Sequence, residues 1–265
     1  MNIKMARVTL LTDFGWNDGY VAAMKGVMAA SAPDLLVDDC SHDIPPGDVH
    51  MAAWVLARYW KLYPPGTVHL VVVDPGVGGR RRGLVASAAD RLFVGPDNGV
   101  LSYVADEIGI DLAVELPGDC CRRDPVSPTF HGRDVFAPIA ARLAVGEPLE
   151  ALGPEVADLV LFLPARAVRQ GDQVHGEVIH VDRFGNLITN IPGDWIAESG
   201  TVVVAGRRLD GVRRTYVDVA SGDLLALIGS AGTLEIGIRD GSAAAGLGVG
   251  RGQAVQVLPG EAAAD

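Results

Sequence analysis

Residues 71–83, VVVDPGVGGRRRG, place one acid and three cations around a glycine loop at the mouth of an apolar strand. A carboxylate such as Asp74 and a guanidinium fixed a few residues away can together orient a water molecule or a polar ligand. A second stretch, SPTFHGRDVFAP (127–138), carries Thr129, Phe130 and His131 in an irregular segment at a helix start. An imidazole there can exchange a proton near neutral pH. A third, HVDRFGNLITN (180–190), gathers Asp182, Phe184, Asn186 and Asn190 about a glycine turn. That mixture suits a purine with a cationic tail: a ring for stacking, amides for hydrogen bonds and a carboxylate for the charge.

Each feature also has a plainer reading. Aspartates at strand ends cap helices and close turns, and Asn-Gly pairs are ordinary hairpin residues. DDCSHD (38–43) packs Asp38, Asp39, Cys40, His42 and Asp43 together, but adjacent residues mostly point apart. No HExxH, HxH or CxxC accompanies them, so no metal site is expected.

The elements that must position these residues follow from the hydrophobic pattern. RVTLLT (7–12), LLVDDC (35–40) and TVHLVVVD (67–74) read as strands. DGYVAAMKGVMAASAP (18–33) and DVHMAAWVLARYWKLYP (48–64) read as the helices between them. Such strands joined by helices predict an α/β domain with a mainly parallel central sheet covered on both faces, over residues 1–165. GLVASAADRLFVGPDNG (83–99) reads as two strands about a tight turn, with helices expected from near Leu101 and over 132–146. Beyond a linker at 162–172 the strands are short and turn-punctuated, which predicts a smaller antiparallel all-β domain over 169–265. In an open α/β sheet, ligands bind beyond the carboxyl ends of the strands, where Asp13, Asp38, Asp39 and Asp74 fall.

Composition narrows the partners. The 265-residue chain has a formal charge of −11, which argues against a nucleic-acid or anionic-membrane surface. Three cysteines, Cys40 and the adjacent Cys120 and Cys121, form neither a disulfide framework nor a zinc pattern. With no apolar run long enough for a membrane span or a signal core, a cytoplasmic protein is expected.

The acid and G-x-G of VVVDPGVGG also resemble the opening loop of class I S-adenosylmethionine (SAM) methyltransferases. There the glycines should lead into a helix; here they lead into arginines and a hairpin, after the third strand rather than the first. No G-K-[ST] closes the loop as in a phosphate-binding loop. Four motifs taken in order, LLTDFGWNDGYVAAMKGV, VVDPGVGGRRR, PTFHGRDVFAP and HVDRFGNLITN, instead resemble the adenosine-forming SAM hydrolases, or SAM hydroxide adenosyltransferases. These are relatives of the SAM-dependent fluorinase and chlorinase. GPDNGVLS (95–102) and GSAGTLEIGIRDGSAA (229–244) fit the same pattern.

The resemblance implies hydrolysis of SAM to adenosine and L-methionine, with SAM as substrate and no cofactor. It also implies a homotrimer with active sites at subunit interfaces. The family's Asp-Arg-His set falls on Asp74, Arg81 and His131, with Arg80 and Arg82 still open if the register slips by one. Asp13 would hold the ribose, Asp18 the methionine ammonium, and Thr129 and Phe130 the adenosine. Asp182, Phe184 and Asn186 would surround the base and the methionine end, with Ser230, Glu235 and Ala244 matched less closely. Halogenating relatives carry an aromatic where Gly47 aligns and tyrosines where Asp74 and His131 align. The Asp-Arg-His set therefore favours water over halide as nucleophile. Gly79 replaces a threonine common in the hydrolases. A halogenase and a non-catalytic SAM or adenosine sensor are the alternatives.

Overall fold

In the computed structural model, which describes residues 6–117 and 125–260, the chain divides into two compact units, Met1–Pro164 and Ala165–Asp265. Cys120 and Cys121 lie outside the described residues. No helix among the described residues is long and apolar enough to cross a membrane.

The first unit is built on strands β1 (Arg7–Thr12), β2 (Leu36–Ser41), β3 (Val68–Val72), β4 (Gly83–Ala88), β5 (Arg91–Pro96) and β6 (Leu112–Leu116). They lie in the order β2-β1-β3-β5-β4-β6. β2, β1, β3 and β5 run parallel, whereas β4 is antiparallel to both β5 and β6, so the sheet is mixed rather than all parallel. The reversal is forced by the β4–β5 hairpin, whose two-residue turn, Ala89 and Asp90, has both φ angles positive (46° and 60°). That turn geometry matches the twist of paired antiparallel strands. β6 was not anticipated from the sequence; its five residues are too few for an alternation to stand out.

Helices α1 (Tyr20–Ser31) and α4 (Ala137–Ala144) cover one face, packing Met24, Met28 and Ile139 on Val8, Leu10, Leu70 and Val72. Helices α2 (Val49–Tyr59) and α3 (Ser102–Ile108) cover the other, packing Leu56 and Val104 against Leu11, Val71 and Val73. Alternate residues of one strand thus feed opposite cores, which is why β1 and β3 read as continuous apolar runs. Asp48 caps α2 by accepting from the Met51 amide at 2.9 Å.

The second unit contains β7 (Val168–Gln170), β8 (Gln173–Val181), β9 (Leu187–Pro192), β10 (Thr201–Val204), β11 (Arg207–Asp210), β12 (Leu224–Ile228), β13 (Thr233–Ile238) and β14 (Ala254–Leu258). Its strand order, β11-β10-β14-β8-β9-β13-β12, is antiparallel throughout. β11 and β12 approach each other, so the sheet nearly closes into a barrel. Two expectations are corrected. The segment read as a linker at 162–172 contains β7, hydrogen-bonded to β8, and the domain read as all-β holds a five-residue helix, α5 (Ala243–Leu247). Both elements are shorter than the window over which periodicity can be read.

A buried imidazole leaves a measurable signature. His69 lies fully buried in β3, with Nδ1 2.8 Å from the Thr9 hydroxyl and the ring stacked on Phe93. Burial, together with the nearby Arg91 charge, pushes its pKa down to about 3. The folded state therefore resists a proton that the unfolded chain accepts below roughly pH 6.5. This group's contribution to stability is complete above that pH and is lost as pH falls toward 3. Between pH 6.5 and 5 the loss is about 2 kcal/mol. Urea titrations at the two pH values are expected to show a His69→Phe variant losing about that much less than wild type.

Candidate active site

The chain reverses its winding at β1. From β1 it crosses through α1 to β2 on one side, then returns through α2, over the opposite face, to β3 on the other side. The connections after β1 and β3 diverge, leaving a crevice beyond their carboxyl ends. Thr12 pairs with Val72 across the two strands, so Asp13 and Asp74 leave the sheet side by side. Both line a pocket of about 280 Å³, together with Phe14, Tyr20, Phe130 and His131.

Asp74 and Arg81 are drawn together by a loop that folds through successive turns, with the Val77 amide donating to the Asp74 carbonyl and the Gly79 amide to that of Gly76. Arg81 Nε donates to both Asp74 carboxylate oxygens at 3.0 Å, and Nη2 donates to the same carboxylate. Nη2 also reaches His131 Nδ1 at 2.8 Å, and the guanidinium lies 5.3 Å from the Phe136 ring centre. The Asp74 side chain is only 5% exposed, so removing one partner would strand a charge away from water.

The neighbouring arginines have other places. Arg82 is held by Asp97 (2.9 Å from Nε) and by Asp158 (2.8 Å from Nη1), tying the hairpin to the 155–160 segment. Arg80 is exposed. Of the three arginines, Arg81 is the one whose guanidinium reaches both Asp74 and His131.

The loop bearing His131 is fixed from beneath by Asp134. This fully buried carboxylate accepts from the Ser127 amide at 2.9 Å and from Arg133 Nε and Nη2, both at 2.7 Å. A single wide turn, Gly132–Phe136, then leads into α4. Gly78 carries the contact between the two loops. Its φ is +74°, and a Cβ there would stand 2.3 Å from the Pro128 carbonyl oxygen. Glycine is required on both counts. Gly79 has no positive φ, and its place in the loop is an ordinary turn.

Around this centre, Asp13 accepts from the Gly47 amide at 2.8 Å, and burial, with Asp74 nearby, raises its pKa. Phe130 packs edge-on against Phe14 and Tyr20, with ring centres 5.8 and 5.1 Å away. Phe14 and Tyr20 were missed in the sequence because LLTDFGWNDGY reads equally well as a turn into a helix. Thr129 lines the pocket, whereas Asp18 is exposed on the turn before α1 and is not part of the lining. The DDCSHD acids are largely occupied: Asp38 pairs with Arg7, and Asp39 with Lys25 and His42. Among the described residues no group of three or more His, Cys, Asp or Glu side chains converges as a metal site.

The second unit has its own pocket, about 710 Å³, lined by Asp182, Phe184, Asn186, Tyr216, Ser230 and Glu235 among others. The Asp182 carboxylate accepts from the amides of Phe184 (2.9 Å) and Asn186 (2.8 Å), closing the β8–β9 turn. Asn186 Nδ2 donates to Asp182 at 3.0 Å and to the Tyr216 hydroxyl at 3.0 Å, and that hydroxyl donates to Glu235. Burial pushes the pKa of both Tyr216 and Glu235 up. Tyr216, which joins this chain of bonds, lies in RRTYVDVASGD, where no periodicity or motif marked it. Phe184 stands 76% exposed at the rim. Two expected residues lie elsewhere. The Ala244 amide donates to the Gly185 carbonyl at 2.9 Å, holding α5 on the turn, and Asn190 accepts from the Glu177 amide within the sheet.

Comparison with known proteins fits this division. The model of the SAM hydroxide adenosyltransferase N-terminal domain matches residues 8–153, and that of the C-terminal domain matches residues 176–256. The chain belongs to this family. It is 43% identical to an (R)-S-adenosyl-L-methionine hydrolase of Salinispora tropica, over 96% of this chain and 98% of that one. It is also 43% identical to the protein of the same name from Thermus thermophilus, over 96% and 100%. A fluorinase of Actinopolyspora mzabensis is more distant, at 28% identity over 73% and 74%. The crystal structure of an uncharacterized conserved protein from Thermotoga maritima, 37% identical, superposes with a TM-score of 0.89 over 95% of this chain and 100% of that one.

The arginine and glycine assignments within this family member separate cleanly. Gly78→Ala is expected to cost about 2 kcal/mol or more in urea denaturation, through both strain and the Pro128 clash. Arg80→Ala is expected to stay within about 0.5 kcal/mol of wild type.

Proposed function

We propose that the protein hydrolyses SAM to adenosine and L-methionine, water attacking C5′ of the ribose in line with the departing sulfur. The Asp74–Arg81–His131 arrangement beside the crevice carries this reading. The C5′–O bond forms as the C5′–S bond breaks, its electron pair neutralising the sulfonium, and one water proton is released. Because the leaving group is already activated, the pocket has only to place and polarise the water.

Bulk water is a poor nucleophile, with a pKa of about 15.7. A fixed guanidinium beside it, that of Arg81, favours the developing hydroxide. The Arg81 contact also fixes the state of the imidazole. A guanidinium has no acceptor, so His131 Nδ1 must accept, and the neutral ring carries its proton on Nε2. In this state His131 orients the nucleophile. It can take the water's proton only after Nδ1 parts from Arg81, a step that VVVDPGVGGRRRG and PTFHGRD could not disclose.

Asp13, Thr129 and Phe130 are assigned to the nucleoside, with Phe14 and Tyr20 completing an apolar wall. Asp182, Phe184, Asn186, Ser230 and Glu235 are assigned to the base and the methionine end of SAM. The first pocket, about 280 Å³, is just below the range of roughly 300–1,000 Å³ usual for small-molecule sites. It is sized for part of a ligand. We assign the whole substrate to both pockets, brought together between subunits of a homotrimer. The exposed Tyr20 (47%), Phe184 (76%) and Val217 (67%) beside them support burial by a partner.

Chromatography of a SAM incubation, with and without halide, tests the reading. Adenosine and methionine are expected in both. Saturable binding without products would indicate a sensor, and a 5′-halo-adenosine would indicate a halogenase. In oxygen-18 water the label is expected at the 5′ oxygen, and unlabelled adenosine would rule out direct attack by water. Arg81→Ala should lower kcat by about 100-fold or more while largely keeping SAM affinity. Sedimentation is expected to give three times the 27.7 kDa chain mass.

A further inference from the structure

We infer that His42 is a positioning residue for the Asp13 loop, a fully buried strut that sets where Asp13 and Phe14 face the pocket. The inference rests on the proposed reading of that pocket as the nucleoside site. His42 comes from DDCSHD, whose side chains hold no ligand in that reading.

The geometry gives His42 four attachments. Its Nδ1 lies 2.8 Å from the Thr12 hydroxyl and its Nε2 3.2 Å from Asp39 Oδ1. Its backbone carbonyl accepts from the Gly15 amide at 2.9 Å, and the Trp16 ring stands edge-on to it, with centres 4.5 Å apart. The side chain is completely buried. These contacts bracket Asp13 on both sides in sequence.

The direction of the bonds follows from which groups can donate. An ionised carboxylate only accepts, so His42 Nε2 carries the proton and Nδ1 is the acceptor in the neutral ring. Asp39 remains ionised: burial pushes its carboxyl up, but hydrogen bonds from Lys25 and His42 outweigh that and hold it below the usual range. The Thr12 hydroxyl therefore donates to His42, and its oxygen is left to accept from the Phe14 amide at 3.2 Å. One chain of bonds runs from Phe14 through Thr12 and His42 to Asp39 and Lys25. It fixes the backbone on both sides of Asp13, whose carboxylate the Gly47 amide then holds from the far side.

A loop held this way serves binding before chemistry, because Asp13 would touch the ribose in the ground state and the transition state alike. Loss of such uniform binding raises KM and spares kcat. His42→Phe keeps the ring and its contact with Trp16 but removes both side-chain hydrogen bonds. It is expected to raise KM for SAM about tenfold with kcat within about threefold. Exchange of the Phe14 amide with deuterium should speed up by a similar factor, while amides of α4 keep their rates.

Thr12→Val should reproduce the effect, and the double variant should be no worse than His42→Phe, because the two residues act through one chain. His42→Asn, which can still accept from Thr12, should recover part of the loss. A folded His42→Phe protein with unchanged KM and unchanged Phe14 exchange would overturn the inference, as would a fall in kcat at constant KM. If His42→Phe fails to fold, Thr12→Val supplies the same two readouts. If the wild-type protein does not consume SAM, the functional reading falls and Phe14 exchange alone decides the inference.

Discussion

Arg81 can only donate hydrogen bonds, and it sits between two groups that must therefore accept them. On one side is the Asp74 carboxylate, whose second charge makes the pair neutral; on the other is Nδ1 of His131. This one guanidinium joins a loop after the third strand to a loop before the last helix of the first unit, fifty residues on. It also sets the protonation state of the imidazole without any direct contact between Asp74 and His131 being needed. The packing around it serves the same end: Gly78 lets the Pro128 carbonyl come close, and Asp134 holds the His131 loop from below.

The three consecutive arginines show how one residue type divides into separate tasks once the backbone turns. Successive side chains along an extended segment point in different directions. Arg81 turns to Asp74 and His131, Arg82 to Asp97 and Asp158, and Arg80 faces solvent. The acidic chain supplies partners for Arg81 and Arg82 within their own unit. In DDCSHD, Arg7, Lys25 and Thr12 bind the side chains of Asp38, Asp39 and His42.

Both units place a pocket at the ends of strands, but by different means. In the first, parallel strands with diverging crossovers open a crevice at their carboxyl ends, which the loop before α4 helps to line. In the second, a hairpin turn closed by Asp182 presents Asn186 to Tyr216, whose hydroxyl donates to Glu235 on β13. Each pocket leaves an aromatic side chain exposed beside it, an arrangement suited to being covered.

The residue order alone established the strands and helices of the first unit from 7 to 74, since long apolar runs and helical spacing are local patterns. It established the antiparallel character of the second, and the set of loops that hold polar groups. Family membership was also legible, because ordered motifs survive as linear text. The short β6, β7 inside the expected linker and the helix α5 were not. They depend on pairing with distant segments, or are too brief to show a period. Only the tertiary structure could join Arg81 to both Asp74 and His131 or bring Tyr216 to Asn186. Only it could remove Asp18 and Ala244 from the pocket linings and turn His42 from a possible metal ligand into a buried strut. Those decisions rest on where side chains meet across the fold, and the distances between residues far apart in sequence are fixed only when the sheets and helices pack.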